Sequence, residues 1–185
     1  MKALLLTGPS GAGKSTIAQL LLQRQKELAF SLSATTRPPR PGEVHGRDYY
    51  FLTEEEFDAE IKHQGFIEWE RLFSGYRYGT LWREIARLQS LGQIPLFIKD
   101  VKGALSLKQA LGKELLTVIV VPPSLEALQA RLLARGHLSK EDLEQRLKRA
   151  EDELKMAAHF DFILYNEDVM RAVERLERLL KQKLL

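Results

Sequence analysis

The chain predicts an α/β fold, a parallel sheet covered by helices, and two observations carry that prediction. Apolar runs bounded by turn residues recur at 3–6, 94–98, 116–121 and 162–164, each followed by a segment of helical period. Such uninterrupted apolar strands belong in sheets covered on both faces. The second observation is local: residues 8–16 read G-P-S-G-A-G-K-S-T between the first apolar run and a helix-like run at 17–22. G-x-x-x-x-G-K-S between strand and helix is the phosphate-binding loop of a P-loop NTPase-type sheet.

The elements follow in order. After strand 3–6, Gly8, Pro9, Ser10, Gly11, Ala12, Gly13, Lys14, Ser15 and Thr16 form the candidate nucleoside-triphosphate-binding loop, whose glycines let backbone N–H groups approach phosphate oxygens. Lys14 adds a positive charge, Ser15 a hydroxyl ligand for the Mg²⁺ that accompanies a nucleoside triphosphate, and the helix at 14–27 the positive end of its dipole. Residues 33–80 break the alternation with strand-like pieces at 47–52, 66–72 and 76–80 around one helix, which opens on the capping box Thr53-Glu54-Glu55-Glu56. They read as a small antiparallel α+β insertion. Helices follow at 101–111, with Asp100 a ready N-cap, and at 125–134. Residues 131–149 form a helical lid with Ser139-x-x-Asp142 as a second N-cap. The last helix, 169–184, carries the stripe Val169, Val173, Leu176, Leu180, with Glu174–Arg178 and Glu177–Lys181 spaced for i,i+4 pairs. The whole is one domain, with core 1–32, 81–130 and 150–185.

Bulk properties exclude several function classes. A chain of 185 residues buries enough surface to fold without staples. Its lack of cysteine removes disulfides, thiolate nucleophiles and Cys-based metal sites. A net charge of +3 is too small and too interleaved for a nucleic-acid footprint. His45, His63, His137 and His159 are scattered without ligand spacing. No apolar stretch approaches 18 residues and no export signal precedes the first strand, so a cytoplasmic protein without membrane or nucleic-acid partners is expected, monomer or homodimer.

Between the first helix and the insertion, three prolines stiffen a basic run in which Arg37 and Arg40 project guanidinium forks suited to phosphate. A kinase needs one site for its donor and another for an anionic acceptor. The run S-x-T-T-R-x-P-R-x-G-E-x-x-G-x-D-Y from Ser33, the later Phe66-Ile67-Glu68-Trp69 and the triplet Tyr78-Gly79-Thr80 resemble guanylate kinase, from the loop to Asn166. The resemblance implies transfer of a phosphoryl group from Mg·ATP to GMP, with dGMP a further possible acceptor. It implies that Arg37, Arg40, Tyr49 and Tyr78 hold the GMP phosphate, and Ser33, Glu68, Thr80 and Asp100 the guanine. It implies further that Arg131, Arg135 and Arg146 of the lid close over the transferring phosphates beside Lys14 and Arg37, and that Asn166 lies near the adenine.

The chemistry agrees. Guanine presents N1–H and an exocyclic amine, which a carboxylate such as Glu68 accepts together, whereas adenine offers a bare N1 there. The acceptor phosphate is largely anionic at neutrality and needs no general base, so catalysis reduces to alignment and neutralisation. The sequence departs from the family in one stretch: the family usually carries an acid two places before Asp100, where this chain has Ile98, Lys99 is unexpected there, and Lys102 stands where glutamine is common. These departures leave a rival, a catalytically weak binding module of the same fold. A P-loop kinase of a sugar phosphate is a third reading, and would have no use for Glu68 and Thr80 as base readers.

Overall fold

The computed structural model describes residues 2–72, 74–134, 136 and 139–184. Its elements begin with β1 (Ala3–Thr7), α1 (Lys14–Arg24), β2 (Leu28–Phe30), β3 (Ser33–Thr35), β4 (Tyr50–Phe51), α2 (Glu54–Lys62), β5 (Phe66–Arg71), β6 (Arg77–Leu81) and α3 (Trp82–Ser90). They continue with β7 (Ile94–Ile98), α4 (Val101–Leu111), β8 (Leu115–Val121), α5 (Leu125–Leu133), α6 (Lys140–Lys155), β9 (Phe162–Tyr165) and α7 (Val169–Lys183). Two compact units emerge, Met1–Leu28 with Leu96–Leu185, and Ala29–Pro95. The second encloses the expected 33–80 insertion and adds 29–32 and 81–95.

The first unit is built on a sheet of order β2-β7-β1-β8-β9, in which β1 pairs parallel with β7 and β8, and β8 with β9. Every residue of β1 is fully buried, which is why Ala3-Leu4-Leu5-Leu6-Thr7 carries no solvent-facing alternation. Burying Leu4, Leu5 and Leu6 stabilises the centre by about 2 kcal/mol each before conformational entropy is counted. Helix α1 stops at Arg24, short of the expected 27, because the Gln25 backbone turns extended. On α7, Val173, Leu176 and Leu180 face inward as the stripe predicts, joined by Ala172, while Val169 is only half-buried. Glu177 does not serve the expected i,i+4 pair; it accepts from Gln25 Nε2 at 3.0 Å and lies 3.6 Å from Arg24, tying α7 to the end of α1. Helix α6 starts on the Ser139 cap and runs to Lys155, six residues past the expected lid. A small core of Leu128, Leu132 and Ala150, flanked by Leu125, Leu143 and Leu147, packs it on α5.

The second unit has its own sheet, β4-β3-β6-β5, and it is mixed: β3 runs parallel to β4, while β3–β6 and β5–β6 are antiparallel. The strand expected at 47–52 shrinks to Tyr50–Phe51. Asp48 accepts from the Val44 N–H at 2.8 Å and the Gly46 N–H bonds to Tyr49 O at 2.8 Å, so the preceding residues close a turn instead. The capping box forms: Thr53 Oγ1 accepts from the Glu56 N–H at 3.1 Å and Glu56 accepts from the Thr53 N–H at 2.8 Å. That helix, α2, delivers Phe57 into a core with Ala34 and Leu81, its ring 4.3 Å from Phe66. Gly79 sits beneath this stack, where an added Cβ would press within 2.6 Å of the Phe66 ring, so glycine is required by packing.

Helix α3 was not foreseen. Glu84 in its first turn is fully buried and accepts from the Leu32 N–H (3.1 Å), Tyr50 Oη (2.7 Å) and Arg87 (2.8 and 2.9 Å). Burial alone would raise its pKa; the donors from Arg87, Tyr50 and Leu32 outweigh it and hold the carboxyl below its ordinary range. Among the described residues no helix is long and apolar enough to cross a membrane.

Candidate active site

The loop after β1 is shaped by two glycines. Gly8 has φ +125° and Gly13 φ +100°, and a Cβ on either would collide, with the Val120 carbonyl and the Asn166 amide respectively. Gly13 is the N-cap of α1 and offers no side-chain cap, so the first N–H groups of that helix face outward as an anion site. Lys14 Nζ donates to the loop carbonyls of Gly8 (2.5 Å) and Pro9 (3.0 Å). Above the loop lies a cavity of about 540 Å³, lined by Gly8, Pro9, Ser10, Gly11, Gly13, Lys14 and Ser15, by Ile98, Lys99 and Asp100 after β7, and by Arg146, Arg149, Ala150 and Glu153 of α6. Four cationic side chains face two carboxylates, so the cavity favours an anion. Asp100 caps α4, Oδ1 accepting from the Gly103 N–H at 2.9 Å, while Oδ2 accepts from Arg149 at 3.1 Å.

A second cavity of about 440 Å³ adjoins the loop and includes Gly11, Gly13, Thr16, Arg131 and Asn166. Asn166, 4% exposed, donates from Nδ2 to Ala12 O at 2.7 Å and so braces the loop from behind. Arg131 Nη2 donates to the Asn166 carbonyl at 3.0 Å. Asn166 Oδ1 and Arg131 Nη1 are buried without a hydrogen-bond partner; unmade bonds of this kind are costly, and here both atoms belong to residues lining a cavity. Arg131 is therefore associated with this second cavity, whereas Arg146 lines the first. Arg135 lies outside the described residues.

In the second unit, strand register assembles the polar residues. Ser33 pairs with Thr80 and Thr80 with Glu68, which lines the three up on one face of the sheet, and Tyr78 follows two residues before Thr80 on that face. Thr80 Oγ1 donates to Glu68 Oε1 at 2.6 Å. Arg37, 9% exposed, donates from Nε to Tyr78 Oη (3.2 Å), from Nη1 to Pro38 O (2.8 Å) and from Nη2 to Glu43 Oε1 (2.9 Å), and lies 5.5 Å from the centre of the Tyr49 ring. Glu43 above all, then Tyr78, holds the Arg37 guanidinium firmly charged against the opposing effect of burial. Arg37 in turn, with the Arg40 N–H, draws the Glu43 carboxyl below its ordinary range. Burial raises the Tyr49 phenol. Arg40 is exposed, and its backbone N–H reaches Glu43 Oε2 at 2.7 Å. Three charged residues of these sites were given no role by sequence reasoning, Glu43, Arg149 and Glu153. Glu43 stood inside the basic run, where its sign opposite two arginines was the available signal.

A glycine-rich loop at the carboxyl end of the central parallel strand, opening a helix and facing a cationic cavity, defines a P-loop phosphotransferase. The family model for guanylate kinase matches residues 1–183. The chain belongs to the guanylate kinase family. It is 47% identical over 173 residues to a guanylate kinase of Chlorobaculum tepidum, covering 94% of this chain and 88% of that one. It is 42% identical over 178 residues to one from Hyphomonas neptunium, covering 96% and 81%. The crystal structure of guanylate kinase from Anaplasma phagocytophilum superposes with a TM-score of 0.75 at 28% identity, covering all of this chain and 87% of that one. The chain is thus an ATP-dependent nucleoside monophosphate kinase, of a class that works on nucleotides and generally needs a divalent metal.

Proposed function

We infer that this chain transfers the γ-phosphoryl group of ATP to GMP, giving ADP and GDP, and that the P-loop unit holds the donor while residues of the 29–95 unit hold the acceptor. The observation that carries the reading is the row Ser33–Thr80–Glu68 beside the Arg37–Tyr78–Tyr49 cluster, a base reader and a phosphate clamp on one small sheet. A sugar-phosphate kinase has no use for such a row, and a binding module has none for Lys14 poised in the loop.

The proposed roles follow from the contacts. Glu68, steadied by Thr80, accepts from guanine N1–H and its exocyclic amine, with Ser33 as a further polar partner. Arg37, Arg40, Tyr49 and Tyr78 take the GMP phosphate, Arg37 already oriented as a fork by Tyr78 and Glu43. Gly8, Pro9, Ser10, Gly11, Ala12, Gly13, Ser15 and Thr16 wrap the ATP phosphates. Lys14 leaves its two carbonyls for phosphate oxygens, and Asn166 offers its unpaired buried Oδ1 to the adenosine moiety. Arg131 and Arg146, with Arg135, neutralise the transferring group.

Hard oxygen donors fit Mg²⁺: Ser15 presents an exposed hydroxyl and Asp100 a carboxylate in the same cavity, and phosphate and water complete such a shell. When bound, Mg²⁺ neutralises charge on the β- and γ-phosphate oxygens. A cytoplasmic setting suits these substrates. Mg·ATP offered with GMP, AMP, UMP, CMP and a sugar phosphate in turn tests the reading, by ADP formation. Strong turnover with GMP alone is expected; no turnover with any acceptor despite GMP binding would transfer the assignment to the binding module.

A further inference from the structure

The carboxylates lining the cavity above the P-loop are Asp100 and Glu153, and one side chain engages both. Arg149 on α6 donates from Nη2 to Asp100 Oδ2 at 3.1 Å and from Nε to Glu153 Oε1 at 2.8 Å. It follows Arg146 by three residues and so shares its face of the helix. Ala150, buried against Leu128 and Leu132, fixes the rotation of α6 that turns this face toward the loop.

We propose that Arg149 is a phosphate-binding residue, parked on Asp100, that exchanges this carboxylate for the phosphate oxygens of the bound nucleoside triphosphate. The inference rests on the loop being the nucleotide site, and adds to it a cation that the basic lid residues of the sequence did not single out. The parked state is readily left. Arg149 is 64% exposed and Asp100 33%, and an ion pair this open to water is weak. A triphosphate carries more charge than one carboxylate and matches the guanidinium fork with several oxygens. Asp100 keeps its helix-capping bond to Gly103 through the exchange, so departure of Arg149 leaves α4 intact. With Ile98 in place of an acid, Asp100 is the carboxylate at this strand end, and Arg149 keeps it neutralised until the nucleotide arrives.

Calorimetric titration of the full chain, its Arg149→Ala and its Arg149→Lys variants, with Mg·ATP and separately with AMP, tests the exchange. Arg149→Ala is expected to weaken Mg·ATP about tenfold or more, as loss of a charge-assisted bond does, with lysine recovering part of it and AMP binding unmoved. Unchanged Mg·ATP affinity, or equal weakening toward Mg·ATP and AMP, would overturn the proposal, the latter by assigning Arg149 to the packing of α6. A wild-type chain that does not bind Mg·ATP would instead overturn the nucleotide-site reading beneath it.

Discussion

Glu68 is the residue on which discrimination between purines turns. Its bulged strand brings it opposite Thr80, whose hydroxyl occupies one carboxylate oxygen at 2.6 Å and so limits how the group can rotate. Glu68→Gln keeps this shape but replaces an oxygen acceptor by an NH₂ donor, which faces guanine's own donors. The preference for GMP over AMP should fall by about 2 kcal/mol, roughly thirtyfold, while Mg·ATP affinity stays unchanged. Steady-state kinetics with both acceptors measure it, and an unaltered ranking would remove Glu68 from base reading. At this scale the sequence was most informative where the chemistry is local: nine consecutive loop residues carry their own geometry. Arg149 was opaque because a charge on an exposed helix resembles ordinary solvated surface until its partner Asp100, 49 residues away, is placed.

Among the elements, α3 and the short strands β2 and β3 were missed, the helix and the strands for separate physical reasons. Helix α3 begins at Trp82 directly after strand β6, with Leu81 as an N-cap lacking any side-chain bond, so no turn residue or capping signal marks the switch. The helical spacing of Leu81, Ile85 and Leu88 was present, but Glu84 lies within the buried face and obscures the apolar stripe. Strand β3 spans three residues and owes its existence to pairing with β6, a contact no period in so short a run announces. By contrast, β1, β7 and α4 fall close to their expected ranges, since continuous apolar runs and the Asp100 cap are visible locally. Glu84 connects the missed pieces through Leu32, Tyr50 and Arg87. Removing it strands the half-buried Tyr50 hydroxyl and the buried Leu32 N–H and opens a void. Glu84→Ala should therefore destabilise the 29–95 unit by about 3 kcal/mol, seen as a lowered urea midpoint in the fluorescence of Trp69 and Trp82. An unchanged midpoint would mean that the network does not support the fold.

At the scale of the whole molecule, the chain contains two compact units with separate sheets, and the proposed donor and acceptor groups divide largely between them. The alternation of strands and helices made the first unit readable; the second was legible mainly through its resemblance to the family, because its short mixed sheet has weak periodicity. The division also sets the central claim, that the triphosphate and the acceptor nucleotide are held by different residues. Lys14→Ala tests it most directly, with turnover and calorimetric GMP binding measured on the same preparation. Lys14 stays on the Gly8 and Pro9 carbonyls, within the P-loop unit. Turnover should be abolished and GMP affinity left within about twofold of the wild type, since the acceptor groups keep their own hydrogen bonds. A loss of GMP affinity as large as the loss of turnover would contradict the claim and show that the two substrates share one site.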